Sequence, residues 1–392
     1  MSGVPLPQPE GCFENPPHQR KRRRARRRIA HENNDRSRAR RESGARVGIL
    51  VRMQGDANVP TEAVDACPVC GAFGAPLLHE DLSDAAFGVV SGSWRIRRCG
   101  CGAAFLDPRP TSDAVPDLYA SYYTHSNVSV TDTPNGFAGV LRRLRNGYVN
   151  RTLGFDLAPA YPRAGRMLGW AVPPIGAIMA RSVRSLGPKT RLLDVGCGDG
   201  QFVAEARAMG MEATGLELDP RVVETARAAG LDVRLADLEE FSRQEPGAYD
   251  AITMSHLVEH LADPVAYLTA ARVALRPGGR LWIATPNIGG AGYRRFGRHW
   301  RGLEPPRHMV IFDHASLERA LHCAGFEKVR RLRATPVSWY GQARSANGRG
   351  GRLPTDVAGL RRRDQIAGFL TDIRAQFDPA ATDEVLLLAT AP

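Results

Sequence analysis

The feature that most constrains this chain is an apolar run ending in an acidic residue and three alternating glycines, Leu192-Leu193-Asp194-Val195-Gly196-Cys197-Gly198-Asp199-Gly200. Glycines in such a turn let the backbone come close to a ligand, and the amides opening the following helix point at it. A turn that cradles a diphosphate spaces its glycines G-x-G-x-x-G; here the spacing is G-x-G-x-G, and the carboxylates of Asp194 and Asp199 suit a cationic ligand better. Strands are expected at 191–195, 213–218, 233–236, 249–254 and 280–285, with helices at 201–209 and 264–275 among them. A helix at 316–324, a strand at 326–333 and a closing strand at 384–390 follow. This alternation predicts an α/β domain with a doubly wound parallel sheet.

Two more carboxylates stand at the next strand ends. Glu217 follows the glycine turn by about 20 residues, where a carboxylate can accept both hydroxyls of a ribose. Asp237, after the third strand, is placed to accept from an adenine amine. Each alone could be a helix cap or a solvated loop charge. Three acidic residues at consecutive strand ends read as one ligand site.

Four of the seven cysteines form two close pairs, Cys67-Pro-Val-Cys70 and, 28 residues on, Cys99-Gly-Cys101. Thiolates on glycine turns suit a tetrahedral structural zinc, which replaces the core that a segment of about 45 residues cannot build. Free or disulfide-linked cysteines are the alternative. Cys197 and Cys323 are expected to be packed as small hydrophobes. With no signal-like apolar segment, a reducing, cytoplasmic setting is expected.

The net charge of +12 belongs mostly to one end. Residues 1–52 hold fourteen Lys or Arg against five Asp or Glu, and the other 340 residues carry only +3. A nucleic-acid partner is therefore not expected for the body of the chain. Residues 1–60 read as a disordered basic tail, with three readings open: an over-extended start with translation from Met53, a tail without function, or a basic arm using the run Arg20 to Arg28. The rest divides into a zinc-binding module at 61–117, a helical connector or lid at 118–187 carrying Tyr119, Tyr122, Tyr123 and Tyr148, and the catalytic domain at 188–392, with a polar insertion at 341–382. No membrane span is expected, because the apolar stretch 167–180 is short and broken by Pro173 and Pro174.

Residues 194–200, Glu217, Asp237 and the run 250–260 resemble the class I S-adenosylmethionine (SAM) dependent methyltransferases. Trp300-Arg301-Gly302-Leu303-Glu304-Pro305-Pro306-Arg307-His308, after Thr285-Pro286-Asn287, is similar to a bacterial branch that carries an N-terminal four-cysteine zinc module and is related to sugar C-methyltransferases. Phe105-Leu106-Asp107-Pro108-Arg109-Pro110 is similar to the stretch that follows that module. The resemblance implies a Rossmann-like, seven-stranded, mostly parallel sheet preceded by a zinc-ribbon-like module. It implies SAM bound by Asp194, Gly196, Cys197, Gly198, Gly200, Glu217, Leu218, Asp237 and Leu238, with Ser255 and His256 at the methionine end, and zinc bound by Cys67, Cys70, Cys99 and Cys101. That branch shows C-x2-C at both knuckles, whereas the second one here is C-x-C.

Methyl transfer from a sulfonium is an in-line displacement, and a hydroxyl or carbon acid must also lose a proton. Glu259 and His260 match the last two residues of a Tyr-x-Glu-His stretch that supplies acid and base in the sugar C-methyltransferases; Leu257 stands at the tyrosine position. Glu-His also occurs in the superfamily as a structural element, so both roles stay open. His308 is the other catalytic candidate, with Arg301 or Arg307 as grips for a substrate phosphate or carboxylate. The expected activity is methylation of an oxygen, carbon or nitrogen on a small or carrier-linked metabolite, with nucleotide sugars and natural-product intermediates as acceptor classes. The alternatives are an NAD-dependent Rossmann oxidoreductase and a zinc-ribbon nucleic-acid-binding protein.

Overall fold

Runs that are apolar on both faces can be satisfied only inside a sheet covered on both sides. In the computed structural model five such runs lie side by side. It describes residues 59–119, 136–181, 183–332, 337–351, 361–375, 377–378 and 381–392; Cys12, the run Arg20 to Arg28, Met53, Tyr122 and Tyr123 lie outside them. The cysteine-bearing part comprises β1 (Thr61–Glu62), β2 (Leu77–Leu82), β3 (Trp94–Arg98), β4 (Ala104–Leu106), β5 (Arg109–Pro110) and the short helix α1 (Val115–Leu118). Three helices follow: α2 (Gly136–Leu153), α3 (Pro162–Ala171) and α4 (Pro173–Arg181).

Strict alternation comes next: β6 (Arg191–Val195), α5 (Gln201–Ala208), β7 (Glu212–Glu217), α6 (Pro220–Ala228), β8 (Val233–Leu235), α7 (Leu238–Gln244), β9 (Tyr249–Ser255), α8 (Pro264–Ala274) and β10 (Leu275–Pro286). The chain finishes with α9 (Ala291–Phe296), β11 (Val310–Ile311), α10 (His314–Cys323), β12 (Lys328–Arg331), α11 (Ser338–Arg349), α12 (Arg362–Arg374) and β13 (Glu384–Thr390). The expected sheet is present, with seven strands in the order β12-β13-β10-β9-β6-β7-β8. β6 to β10 are parallel, and β13 pairs antiparallel with both β10 and β12. Leu193, Ile252 and Leu281 are fully buried in its middle, each contributing about 1.5–3 kcal/mol relative to exposure. β10 begins earlier than the expected position 280, because Leu275 pairs with Tyr249 ahead of an irregularity that absorbs Pro277-Gly278-Gly279.

Strand order reverses between β6 and β9, since β7 and β8 lie on one side of β6 and β10 lies beyond β9. A crevice therefore opens at the carboxyl ends of these two strands. The cysteine-bearing part is joined to this domain through backbone. A second sheet runs β11-β4-β3-β2, so Val310 and Ile311, from beyond β10, pair with Phe105 and Ala104. Cys197 is buried as expected; Cys323 is also buried but is disulfide-bonded rather than a free thiol.

Candidate active site

The glycine turn leaves β6 with Gly196, Gly198 and Gly200 all at positive φ, 68°, 57° and 79°, a region that costs other residues energy. A Cβ on Gly198 would meet nothing within 4 Å, so the backbone there faces open space. That space is a cavity of about 290 Å³ lined by Arg184, Asp194, Gly196, Cys197, Gly198, Asp199, Gln201, Phe202, Glu205 and Ser255. It lies at the reversal point, with Asp194 from β6 and Ser255 from β9 on its wall.

Asp194 is buried, and its Oδ1 accepts from Thr253 Oγ1 at 2.6 Å and from the Arg184 guanidinium. Arg184 also stacks over Phe202, 3.6 Å from the ring centroid. The cavity thus sets one guanidinium, Arg184, among the carboxylates of Asp194, Asp199 and Glu205, a cation that the spacing alone did not suggest. Arg184 was not legible in advance; its only signal was a basic residue closing the apolar helical stretch before β6. The Glu217 carboxylate is held by the turn, Oε2 accepting from Gly198 N at 3.0 Å and Oε1 from Leu218 N at 2.7 Å. Oε1 also accepts from Asp219 N at 3.2 Å, so Oε2 is the oxygen that keeps a lone pair for a ligand. Asp237 caps α7 by accepting from Glu239 N at 2.8 Å. Glu217, Leu218, Asp237 and Leu238 lie beyond the cavity wall at the neighbouring strand ends. Leu218 is 60% exposed, while the Leu238 side chain is fully buried in the core and can offer a ligand only its backbone.

After β9 the chain turns through His256 at φ 53°, an outlying conformation for a residue with a Cβ. The turn places the half-exposed His256 between two buried carboxylates, with Nδ1 3.3 Å from Glu259 Oε1 and Nε2 3.1 Å from Glu384 Oε1. Burial opposes a charge on His256, but the two carboxylates override it and push its pKa up to about 10. Burial likewise opposes charge on Glu259 and Glu384; His256 holds the former at about 2, and Arg181 with His256 holds the latter at about 2. Glu259 Oε2 also accepts from Thr285 Oγ1 at 2.9 Å.

The three proposed catalytic groups come together: one ligating atom from each of Glu259, His260 and His308 lies within 4.8 Å of the others. Burial separates them. Glu259 is 0% and His308 5% exposed, whereas His260 keeps partial access to solvent. His308 Nδ1 donates to Gly302 O at 2.8 Å, and burial beside His260 lowers its pKa to about 3. His260 Nδ1 faces Tyr119 Oη at 2.7 Å and Arg307 O at 3.1 Å. A carbonyl can only accept, so the proton on Nδ1 serves it and Nε2 is the basic nitrogen. Burial lowers the His260 pKa, leaving the ring neutral near pH 7. Tyr119 comes from just after α1, so the segment that follows the cysteine-bearing part brings a phenol to His260.

Neither arginine is available as a substrate grip. Arg307 is fully buried, with Nη1 and Nη2 donating to the two Asp84 oxygens at 2.8 and 2.9 Å and Nε to Leu118 O at 3.2 Å. Arg301 is ion-paired with Glu304. The Arg307 clamp instead ties the segment carrying Tyr119 to the loop carrying His308.

In the cysteine-bearing part, the four thiols all lie within 4.8 Å of one another, with Cys67 to Cys101 at 3.7 Å and Cys70 to Cys99 at 3.5 Å. Zinc–sulfur bonds of about 2.3 Å in a tetrahedron require sulfurs about 3.8 Å apart. The C-x-C knuckle converges as well as the C-x2-C one, because Cys99 N donates to Ala103 O at 2.8 Å and Gly102 N to Cys99 O at 3.0 Å.

A doubly wound sheet with a glycine turn at its reversal point and carboxylates at three successive strand ends defines a nucleotide-ligand α/β domain. Residues 167–331 match the family described as a methyltransferase domain. It is 36% identical over 106 residues to a ubiquinone biosynthesis O-methyltransferase of Xanthomonas campestris pv. campestris, covering 26% of this chain and 44% of that one. The protein of the same name from Xanthomonas oryzae pv. oryzae is 36% identical over 103 residues, covering 25% and 43%. The match thus spans less than half the length of these curated relatives. A solved SAM-dependent methyltransferase from Archaeoglobus fulgidus is 16% identical, covering 55% of this chain and 93% of that chain with a TM-score of 0.38.

Proposed function

We propose that the chain is a SAM-dependent methyltransferase acting on an oxygen, carbon or nitrogen of a small or carrier-linked metabolite, with a structural zinc ion in the four-cysteine site. The observation that carries this reading is the Asp194 and Arg184 pair beside the glycine turn, in a cavity of about 290 Å³. An amino-acid group needs one partner for its ammonium and one for its carboxylate, and these two side chains supply both. Glu217 would take the ribose hydroxyls and Asp237 the adenine amine, with the exposed Leu218 against the base. When bound, SAM supplies an electrophilic methyl group on a sulfonium.

The protein's own part is to position the acceptor and move its proton. His260, neutral and partly exposed, is the proton acceptor, and Tyr119 orients its ring. Glu259 and His308, both buried, position His260. Hydroxyl acceptors gain most from a base so arranged, and the name of the Xanthomonas relatives is that of an O-methyltransferase. Nucleotide sugars and natural-product intermediates remain within the same acceptor class.

Calorimetric titration with SAM, S-adenosylhomocysteine and NAD tests the reading, alongside elemental analysis for zinc. Saturable binding of the first two, lost in Asp194→Ala and Glu217→Ala but retained in His260→Ala, with one zinc per chain, is the expected result. Binding of NAD in place of SAM would replace it with a dehydrogenase.

A further inference from the structure

The helices α2, α3 and α4 meet through glycine. A Cβ on Gly147 would stand 2.1 Å from Tyr161 O, one on Gly165 2.1 Å from Leu144 O, and one on Gly169 2.3 Å from the Tyr148 ring. The inner faces of these helices are therefore closed against one another. On α3 the opposite face carries Arg163, Arg166, Met167 and Trp170 at helical spacing, with Met167 69% and Trp170 83% exposed. These four line a shallow depression of about 350 Å³ with Arg151 and Pro162. Beside it Arg143 Nη1 donates to the half-exposed Tyr161 Oη at 3.0 Å. Phe137 and Leu141 of α2 and Ile178 of α4 are exposed as well. Residues 136–181 hold seven arginines against one aspartate.

We propose that the α2–α4 unit is a docking surface for a bilayer containing anionic lipids. Trp170 and Met167 enter the boundary between headgroups and acyl chains, and Arg143, Arg151, Arg163 and Arg166 pair with lipid phosphates. Indole and guanidinium together favour that boundary, the ring taking the apolar side while the charge stays at the phosphates. A nucleic acid would satisfy the arginines and could stack on Trp170, but it offers nothing to Met167, Leu141 or Ile178. A second copy of this chain would bring arginine against arginine. The surface is for lying on a membrane, since no helix among the described residues is long and apolar enough to cross one. The proposal stands on this face alone and does not depend on the reading of the catalytic site.

The test uses the full chain with vesicles of phosphatidylglycerol and phosphatidylcholine, compared with phosphatidylcholine alone. Trp94, Trp282 and Trp300 are buried, so with the fifth tryptophan removed by Trp339→Phe quenching of the emission by brominated acyl chains reports mainly on Trp170. Salt-sensitive binding to the anionic vesicles with quenching is expected. Trp170→Ala should abolish the quenching, and Arg163→Glu with Arg166→Glu should weaken binding about tenfold or more. Both changes lie on the exposed face and leave the packed glycine face intact, which circular dichroism checks. Binding without quenching, held only by the basic N-terminal segment, would overturn the proposal. So would unchanged affinity of the variants, or Trp170-dependent binding of RNA or self-association in place of vesicle binding.

Discussion

Replacing Asp84 by alanine should be among the most damaging single changes in this chain, although Asp84 is far in sequence from Glu259, His260 and His308. The Asp84 and Arg307 side chains are both fully buried. Asp84 also accepts from the backbone amides of Phe87, Val89 and Val90 at 3.3, 2.9 and 3.2 Å. Asp84→Ala strands a guanidinium in the interior, for which breaking a buried pair costs about 3–5 kcal/mol. The partly buried loop amides add little, because water can reach some of them. The expected loss is about 4 kcal/mol, a large part of the roughly 5–15 kcal/mol that holds a domain together. Arg307→Met should cost less, about 2–3 kcal/mol, because the carboxylate keeps its three amide donors.

Asp84→Leu combined with Arg307→Met should return to within about 1 kcal/mol of the parent, since neither charge is then buried. Urea unfolding at pH 7, read at constant denaturant slope, measures all three. A loss under about 1 kcal/mol for Asp84→Ala, or a larger loss for Arg307→Met, would refute the reasoning. The pH sign follows from the Asp84 pKa, which Arg307 and the loop amides hold below its ordinary value against the cost of burial. The stabilisation is present above the unfolded pKa of about 3.9 and is lost as pH falls through the lower folded value. Arg307 Nε also holds Leu118 O, next to Tyr119, so the single variants should slow turnover as well as unfold more easily.

Two further outcomes follow from the His256 and His260 environments. His256 has a folded pKa near 10, above its unfolded value, so its stabilisation is complete below about pH 6.5 and fades as pH rises through 10. Thermal melting between pH 6 and 10.5 should show that decline in the parent and a flatter curve in His256→Gln; parallel curves would mean His256 carries no such charge. Tyr119→Phe should leave SAM affinity within about twofold while lowering methyl transfer about 10- to 100-fold, measured with labelled SAM and a metabolite extract as acceptor. Unaltered transfer would remove Tyr119 from the proton-handling pair.

The parallel sheet was legible because its cues are local. Apolar runs of strand length, a glycine turn and acidic residues at strand ends each act within a few residues, and β6 and β13 have the bounds that the pattern predicts. The placing of Asp194, Glu217 and Asp237 at successive strand ends was readable for the same reason, as was the convergence of the four thiols. Arginine roles were not. Arg307 looked like a substrate grip because charge and loop position suggest exposure, and nothing near it in sequence reveals that Asp84 waits 223 residues away.

By itself, then, the sequence determined the fold class, the glycine turn and the two thiol knuckles, since those rest on backbone freedom and short-range periodicity. Tertiary structure alone decided which charges are spent on one another and which remain for a ligand: Arg184 beside Asp194, His256 between Glu259 and Glu384, and Tyr119 carried to His260 by a sheet that borrows β11. Electrostatic pairing and burial are properties of three-dimensional neighbours, and a buried charge takes its role from the one partner that the fold brings within hydrogen-bonding distance.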